Sequence, residues 1–80
     1  MGHVKIDNFR ELKSKKSRFG FIVDSIQINN MLSTGLLIER IKDIWEDVVS
    51  IENTSYAGRF SINFYTDDEL IAIEIRKYIK

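Results

Sequence analysis

The fold class depends most on one stretch, residues 30–49, which reads NMLSTGLLIERIKDIWEDVV. At a rotation of about 100° per residue, its apolar residues fall on one side of a helix. That side carries Met31, Thr34, Leu37, Ile38, Ile41, Ile44, Trp45, Val48 and Val49, and the other side carries Glu39, Arg40, Asp43, Glu46 and Asp47. Because such a stripe needs an apolar partner surface, the pattern predicts one long amphipathic helix packed on one face of a small sheet.

Strand patterns lie on both sides of this helix. Residues 18–28 are rich in aromatic and β-branched residues, and a change of parity near Asp24 indicates a bulge or burial of both faces. Residues 59–65 alternate strictly, which predicts a half-buried strand. Weaker strand patterns occur at residues 4–7 and 50–55. The large apolar residues of the clearest strand, which share one face, are Phe60, Ile62 and Phe64.

The C-terminal residues 66–80 allow two predictions. Thr66 and Glu69 form a capping box, which is typical of a helix start. A four-residue loop at residues 66–69 would instead form a hairpin in which the large apolar side chains of both strands share one face. The hairpin pairs Phe64 with Ile71, Ile62 with Ile73 and Phe60 with Ile75. Because three β-branched residues in five also favour a strand, we predict the hairpin.

These elements give the order β-β-α-β-β-β. The prediction is therefore an α+β domain with four to five mostly antiparallel strands and a single long helix, which resembles the β-grasp layout in element order. The alternative, with a C-terminal helix, is a β-α-β-β-α half of a ferredoxin-like fold. A chain of 80 residues leaves room for one domain, residues 1–80.

Composition excludes most site chemistry. The 12 basic and 12 acidic residues cancel, so no net field favours nucleic acid or membrane. Without cysteine, and with His3 as the single histidine, neither a metal site nor a catalytic relay is expected. No cofactor is expected, and enzyme is the class with the least support. The N-terminal residues lack the apolar core of a secretory signal, and no apolar run could span a bilayer, so we expect a cytoplasmic protein without a membrane partner.

A basic loop at residues 13–18 is one candidate binding surface. Its charged residues are Lys13, Lys15, Lys16 and Arg18. The residues that follow, Phe-Gly-Phe-Ile at 19–22, are similar to the core of the aromatic strand motif in RNA-recognition and cold-shock domains. That resemblance implies aromatic rings that stack on bases. A nucleic-acid-binding module is therefore the alternative function.

The leading hypothesis is a protein-interaction module that docks on a larger partner as an accessory subunit, inhibitor or regulator, or on itself as a homo-oligomer. Two leucines one turn apart, Leu32 and Leu36, fall on the helix side opposite the apolar stripe. An interruption of the helix at Gly35 would instead make its first turns irregular. The other candidate contact residues are Glu39, Asp43 and Asp47 on the same side and Tyr65 on the outer face of its strand.

Overall fold

The computed structural model describes residues 5–24, 28–56 and 59–80. This part of the chain forms one antiparallel sheet of four strands in the spatial order β1-β2-β4-β3, together with two helices. The chain therefore has the α+β architecture that the sequence predicts. The elements are β1 (Phe9–Leu12), β2 (Phe19–Asp24), α1 (Ile28–Ile44), β3 (Val49–Tyr56), β4 (Arg59–Thr66) and α2 (Glu69–Arg76).

The C-terminal segment is a helix, so the predicted hairpin and the β-β-α-β-β-β order are wrong. Asp68 is the N-cap of α2, and its Oδ1 accepts hydrogen bonds from the backbone N–H groups of Leu70 (3.0 Å) and Ile71 (3.2 Å). Glu69 in the first turn and Arg76 in the last turn complement the helix dipole. The capping signal therefore indicates the correct element, although the N-cap is Asp68 and not Thr66 of the predicted capping box.

The alternative element order is present from β2 to α2, which run β-α-β-β-α. Within the sheet, β4 lies between β2 and β3 and is antiparallel to both. Because α1 connects β2 to β3, this is a split β-α-β arrangement, which ferredoxin-like folds also contain. The strand β1 extends the sheet at the edge next to β2.

Helix α1 ends earlier than its apolar pattern predicts. A turn follows Ile44, in which the carbonyl of Trp45 accepts from the backbone N–H groups of Val48 (3.0 Å) and Val49 (2.9 Å). Val49 then begins β3, and Trp45 is only half-buried. Ile44 and Val48, which the pattern assigns to the core, are exposed. Gly35 does not interrupt α1.

Both helices pack on one face of the sheet. Phe21 and Phe64, which are fully buried, are paired across β2 and β4. The ring of Phe9 lies 6.0 Å from each of them, and together they form the centre of the core. The helices contribute Leu37 and Ile41 from α1 and Ala72 and Ile75 from α2. The opposite face of the sheet carries no helix among the described residues, and we call it the open face.

The described part of the buried face of α1 includes one polar group, the hydroxyl of Thr34. Its side chain is 2% exposed, and its Oγ1 has no hydrogen-bond partner among the described residues. Replacement by Val keeps the branched shape and removes the unpaired hydroxyl. Because a buried unpaired polar group is unfavourable, we expect Thr34→Val to raise the free energy of unfolding by about 1 kcal/mol. Urea denaturation of the two proteins measures the difference, and a destabilised variant would contradict this account of Thr34.

Candidate interaction surfaces

The exposed side of α1 carries an apolar pair. The side chains of Leu32 and Leu36 are 77% and 52% exposed, and they lie one turn apart. Glu39 and Asp43, also exposed, follow at helical spacing on the same side. We call these four residues the leucine surface. The structure thus brings together four of the residues that the sequence indicates for protein contact.

The packing of α1 explains why these leucines face away from the sheet. With 3.6 residues per turn, α1 can direct only one stripe at the sheet. Thr34, Leu37 and Ile41 occupy that stripe and are buried. The leucine pair therefore faces outward because the core determines the orientation of α1.

Two other predicted contact residues lie elsewhere. Asp47 belongs to the turn after α1, and Tyr65 belongs to β4, where it lies half-buried on the open face. Both line a cleft of about 200 Å³ at the end of the sheet, together with Glu46 and Asp67. The Oδ1 of Asp67 accepts from the backbone N–H of Arg18 at 2.8 Å. Within the described residues, no group of three or more His, Cys, Asp or Glu side chains could hold a metal ion.

The basic loop is partly tied to the open face. The Nζ of Lys16 donates to Glu52 Oε2 at 2.7 Å and lies 5.4 Å from the centre of the Tyr65 ring. This hydrogen bond lowers the pKa of Glu52 and raises the pKa of Lys16. Lys13 and Lys15 are exposed. The loop therefore presents two lysines outward and uses a third to cover Tyr65.

The aromatic strand at residues 19–22 offers little surface for base stacking. Phe21 is fully buried in the core, and Phe19 is half-buried against it. The guanidinium groups of Arg18 and Arg76 lie 5.1 Å and 5.4 Å from the centre of the Phe19 ring. Because base stacking needs an accessible ring face, Phe21 cannot supply it in this fold.

Two features of the surface were missed by the sequence prediction. The first is a two-point ion pair, in which Arg76 Nε and Nη2 donate to the carboxylate oxygens of Glu11 at 2.8 and 2.9 Å. This hydrogen bonding lowers the pKa of Glu11 and links α2 to β1. The second is an outward apolar pair on α2, Leu70 and Ile73. Both features depend on the helix α2, for which the capping box predicted at Thr66 and Glu69 was the available signal.

No helix among the described residues is long and apolar enough to cross a membrane. The chain matches no protein-family model, no curated protein and no solved structure in the comparisons made with its sequence and fold. The functional argument therefore depends on the surfaces themselves.

Proposed function

We propose that this protein is a small interaction module that docks on a larger partner through the leucine surface, and so acts as an accessory subunit, inhibitor or regulator. The observation that carries the proposal is the exposure of Leu32 and Leu36 on an otherwise charged helix side. Single exposed apolar residues are common, whereas a pair one turn apart on a helix is a typical anchor for a partner groove.

The chemistry of the surface indicates the kind of partner. Full burial of a leucine side chain contributes about 1.5–3 kcal/mol, so the pair alone supports only modest affinity. Glu39 and Asp43, which lie beside the leucines, would pair with Lys or Arg at the rim of the groove. The partner surface that fits is therefore an apolar groove with a basic rim.

Pre-organisation also supports docking through α1. The helix is anchored by Thr34, Leu37 and Ile41, which are buried against the sheet. Binding would therefore not require the helix to form, and its ordering entropy would not reduce the affinity. The acidic charges fall on the C-terminal half of the leucine surface, which gives the docking a direction along the helix.

A capture experiment tests this proposal. The immobilised protein is exposed to nuclease-treated lysate, and the retained protein is identified and then purified for a binding measurement. Leu32→Lys with Leu36→Lys removes both anchors and places positive charges against the basic rim. We expect the dissociation constant to rise at least about 100-fold, which corresponds to the loss of roughly 3 kcal/mol.

Leu70→Lys is the control, because Leu70 is a leucine on the other helix that is as exposed as Leu32. We expect this variant to bind the partner as the wild type does. Equal retention by the wild type and the double variant would refute the leucine surface. Loss of binding with Leu70→Lys alone would move the docking surface to α2.

The second candidate function is nucleic-acid binding through the basic loop, and the exposure of Lys13 and Lys15 favours it. With Lys16 engaged by Glu52, the loop has fewer free charges for phosphates than its sequence suggests. Nuclease treatment in the same capture separates the two functions. A partner that nuclease releases would support this second candidate.

A further inference from the structure

The two edges of the sheet differ in how they are protected. The edge strand β1 has only four residues, and two of them, Arg10 and Glu11, are charged. It follows Asn8, whose φ of 59° breaks the extended backbone, and the chain before it pairs with the C-terminus through Ile6 and Ile79. Short length, charge and a backbone break are features by which proteins prevent edge-to-edge pairing.

The opposite edge strand, β3, has none of these features. It has eight residues, without Pro, Lys or Arg, and its register with β4 is unbroken from Val49↔Thr66 to Tyr56↔Arg59. Its single charge, Glu52, is engaged by Lys16 at 2.7 Å. Asn53 and Thr54, which point to opposite faces, are both exposed.

The outer side of β3 is also open. At its start the backbone N–H of Val49 is bonded to the carbonyl of Trp45. Beyond that residue, no described part of the chain makes a backbone hydrogen bond to the outer side of the strand. A long, regular and nearly uncharged edge with unpaired backbone groups is a template for another strand.

We propose that β3 pairs antiparallel with β3 of a second copy of this chain, which joins two sheets into one of eight strands. A second copy presents an identical open edge, and charge does not oppose its approach. The chain has a net charge of zero, so two copies do not repel at long range. This dimer is independent of the leucine surface, which it leaves free on both copies.

The register of this pairing follows from the faces of the strand. Opposite residues of an antiparallel pair share a face, so a two-fold axis perpendicular to the sheet keeps the helices of both copies on one side. The register centred on Asn53 places each Asn53 opposite the other and each Glu52 opposite Thr54 of the second copy. No like charges then face one another, in contrast to a register centred on Glu52.

Sedimentation of the full chain tests the dimer. We expect the wild type to sediment at twice the 9.4 kDa chain mass, with a concentration-dependent monomer fraction. Asn53→Glu with Thr54→Glu adds acidic charge next to Glu52, so that the registers centred on residues 52, 53 and 54 all place like charges opposite one another. We expect the dissociation constant of the dimer to rise at least about tenfold.

The matched control is Leu32→Glu with Leu36→Glu, which makes the same change in net charge on α1. This control variant should remain dimeric. If the control variant is monomeric and the β3 variant is dimeric, the interface lies on α1 and the proposal is wrong. A wild type that stays monomeric up to millimolar concentration would also overturn it.

Hydrogen exchange of the wild type provides a readout that does not depend on any variant. In the monomer, the amides of β3 that bond to β4 should exchange slowly, together with that of Val49, which bonds to Trp45. In the dimer, the outward amides should also become protected as concentration rises. A dimer whose β3 amides exchange at the monomer rate would refute this interface.

Discussion

Replacement of Phe64 with Ala is expected to lower the free energy of unfolding by about 3–5 kcal/mol. Phe64 is fully buried in β4, paired with Phe21 on one side and with Ile51 on the other, and the ring of Phe9 packs against it edge-on. No smaller side chain can fill that volume. Because native proteins are stable by only about 5–15 kcal/mol, this loss would remove a large part of the stability of the domain.

Phe60 supplies the matched control for this measurement. It lies on the same strand and the same face, but it is 44% exposed at the other end of β4. We therefore expect Phe60→Ala to lower the free energy of unfolding by about 1 kcal/mol or less. Urea denaturation followed by circular dichroism compares the two variants with the wild type. Equal losses would contradict the placement of the core at the Phe64 end of the strand.

The strand β4 and the helix α1 could be predicted from sequence because the spacing of apolar residues is a local property of the chain. Alternation at Phe60, Ile62 and Phe64 indicates one buried face whatever the neighbouring strands are. The spacing of Thr34 and Leu37 likewise defines the buried stripe of α1. What local spacing does not determine is which strands become neighbours.

The C-terminal segment shows this difference. The predicted hairpin required a free side of β4, against which residues 70–76 would pair. In the structure β4 is central, with β2 on one side and β3 on the other, so neither side is available for a further strand. The apolar residues of β4 and of residues 70–76 do match in spacing. That match could not reveal that β2 already pairs with the side of β4 that the hairpin needed. The predicted capping box at Thr66 and Glu69 was the better signal, although the N-cap is Asp68, since helix capping depends only on local backbone geometry.

The candidate surfaces also include features that local spacing predicts and features that depend on long-range contacts. The outward position of Leu32 and Leu36 follows from helical spacing alone and was predicted. Asp47 was expected on the same side, but α1 ends at Ile44, because Val49 pairs with Thr66 at the start of β3. That pairing is a long-range contact, which the apolar pattern of residues 30–49 does not contain. The protected and unprotected edges of the sheet could be identified only once the strand order was known.

The second prediction with a large expected effect on stability concerns the C-terminal helix. Ile75 is fully buried on α2, within the core cluster that also contains Ala72 and Tyr78. We expect Ile75→Ala to lower the free energy of unfolding by about 2–5 kcal/mol, since the vacated volume would remain largely unfilled. Urea denaturation measures this change as well. A decrease of this size in the free energy of unfolding would by itself fit a buried residue in either a helix or a strand.

The variant Ile73→Ala distinguishes a C-terminal helix from a C-terminal strand. On α2, Ile73 lies on the outer side and is 43% exposed, so its truncation removes little buried surface. Alanine is also the better helix former, which offsets part of the loss, and we expect the net change to stay within about 0.5 kcal/mol. In a strand, Ile71, Ile73 and Ile75 would share one face, because side chains alternate along a strand, and their truncations would have similar effects. Similar losses for Ile73→Ala and Ile75→Ala would therefore contradict the helix, whereas a large loss at Ile75 alone requires the helical spacing that α2 provides.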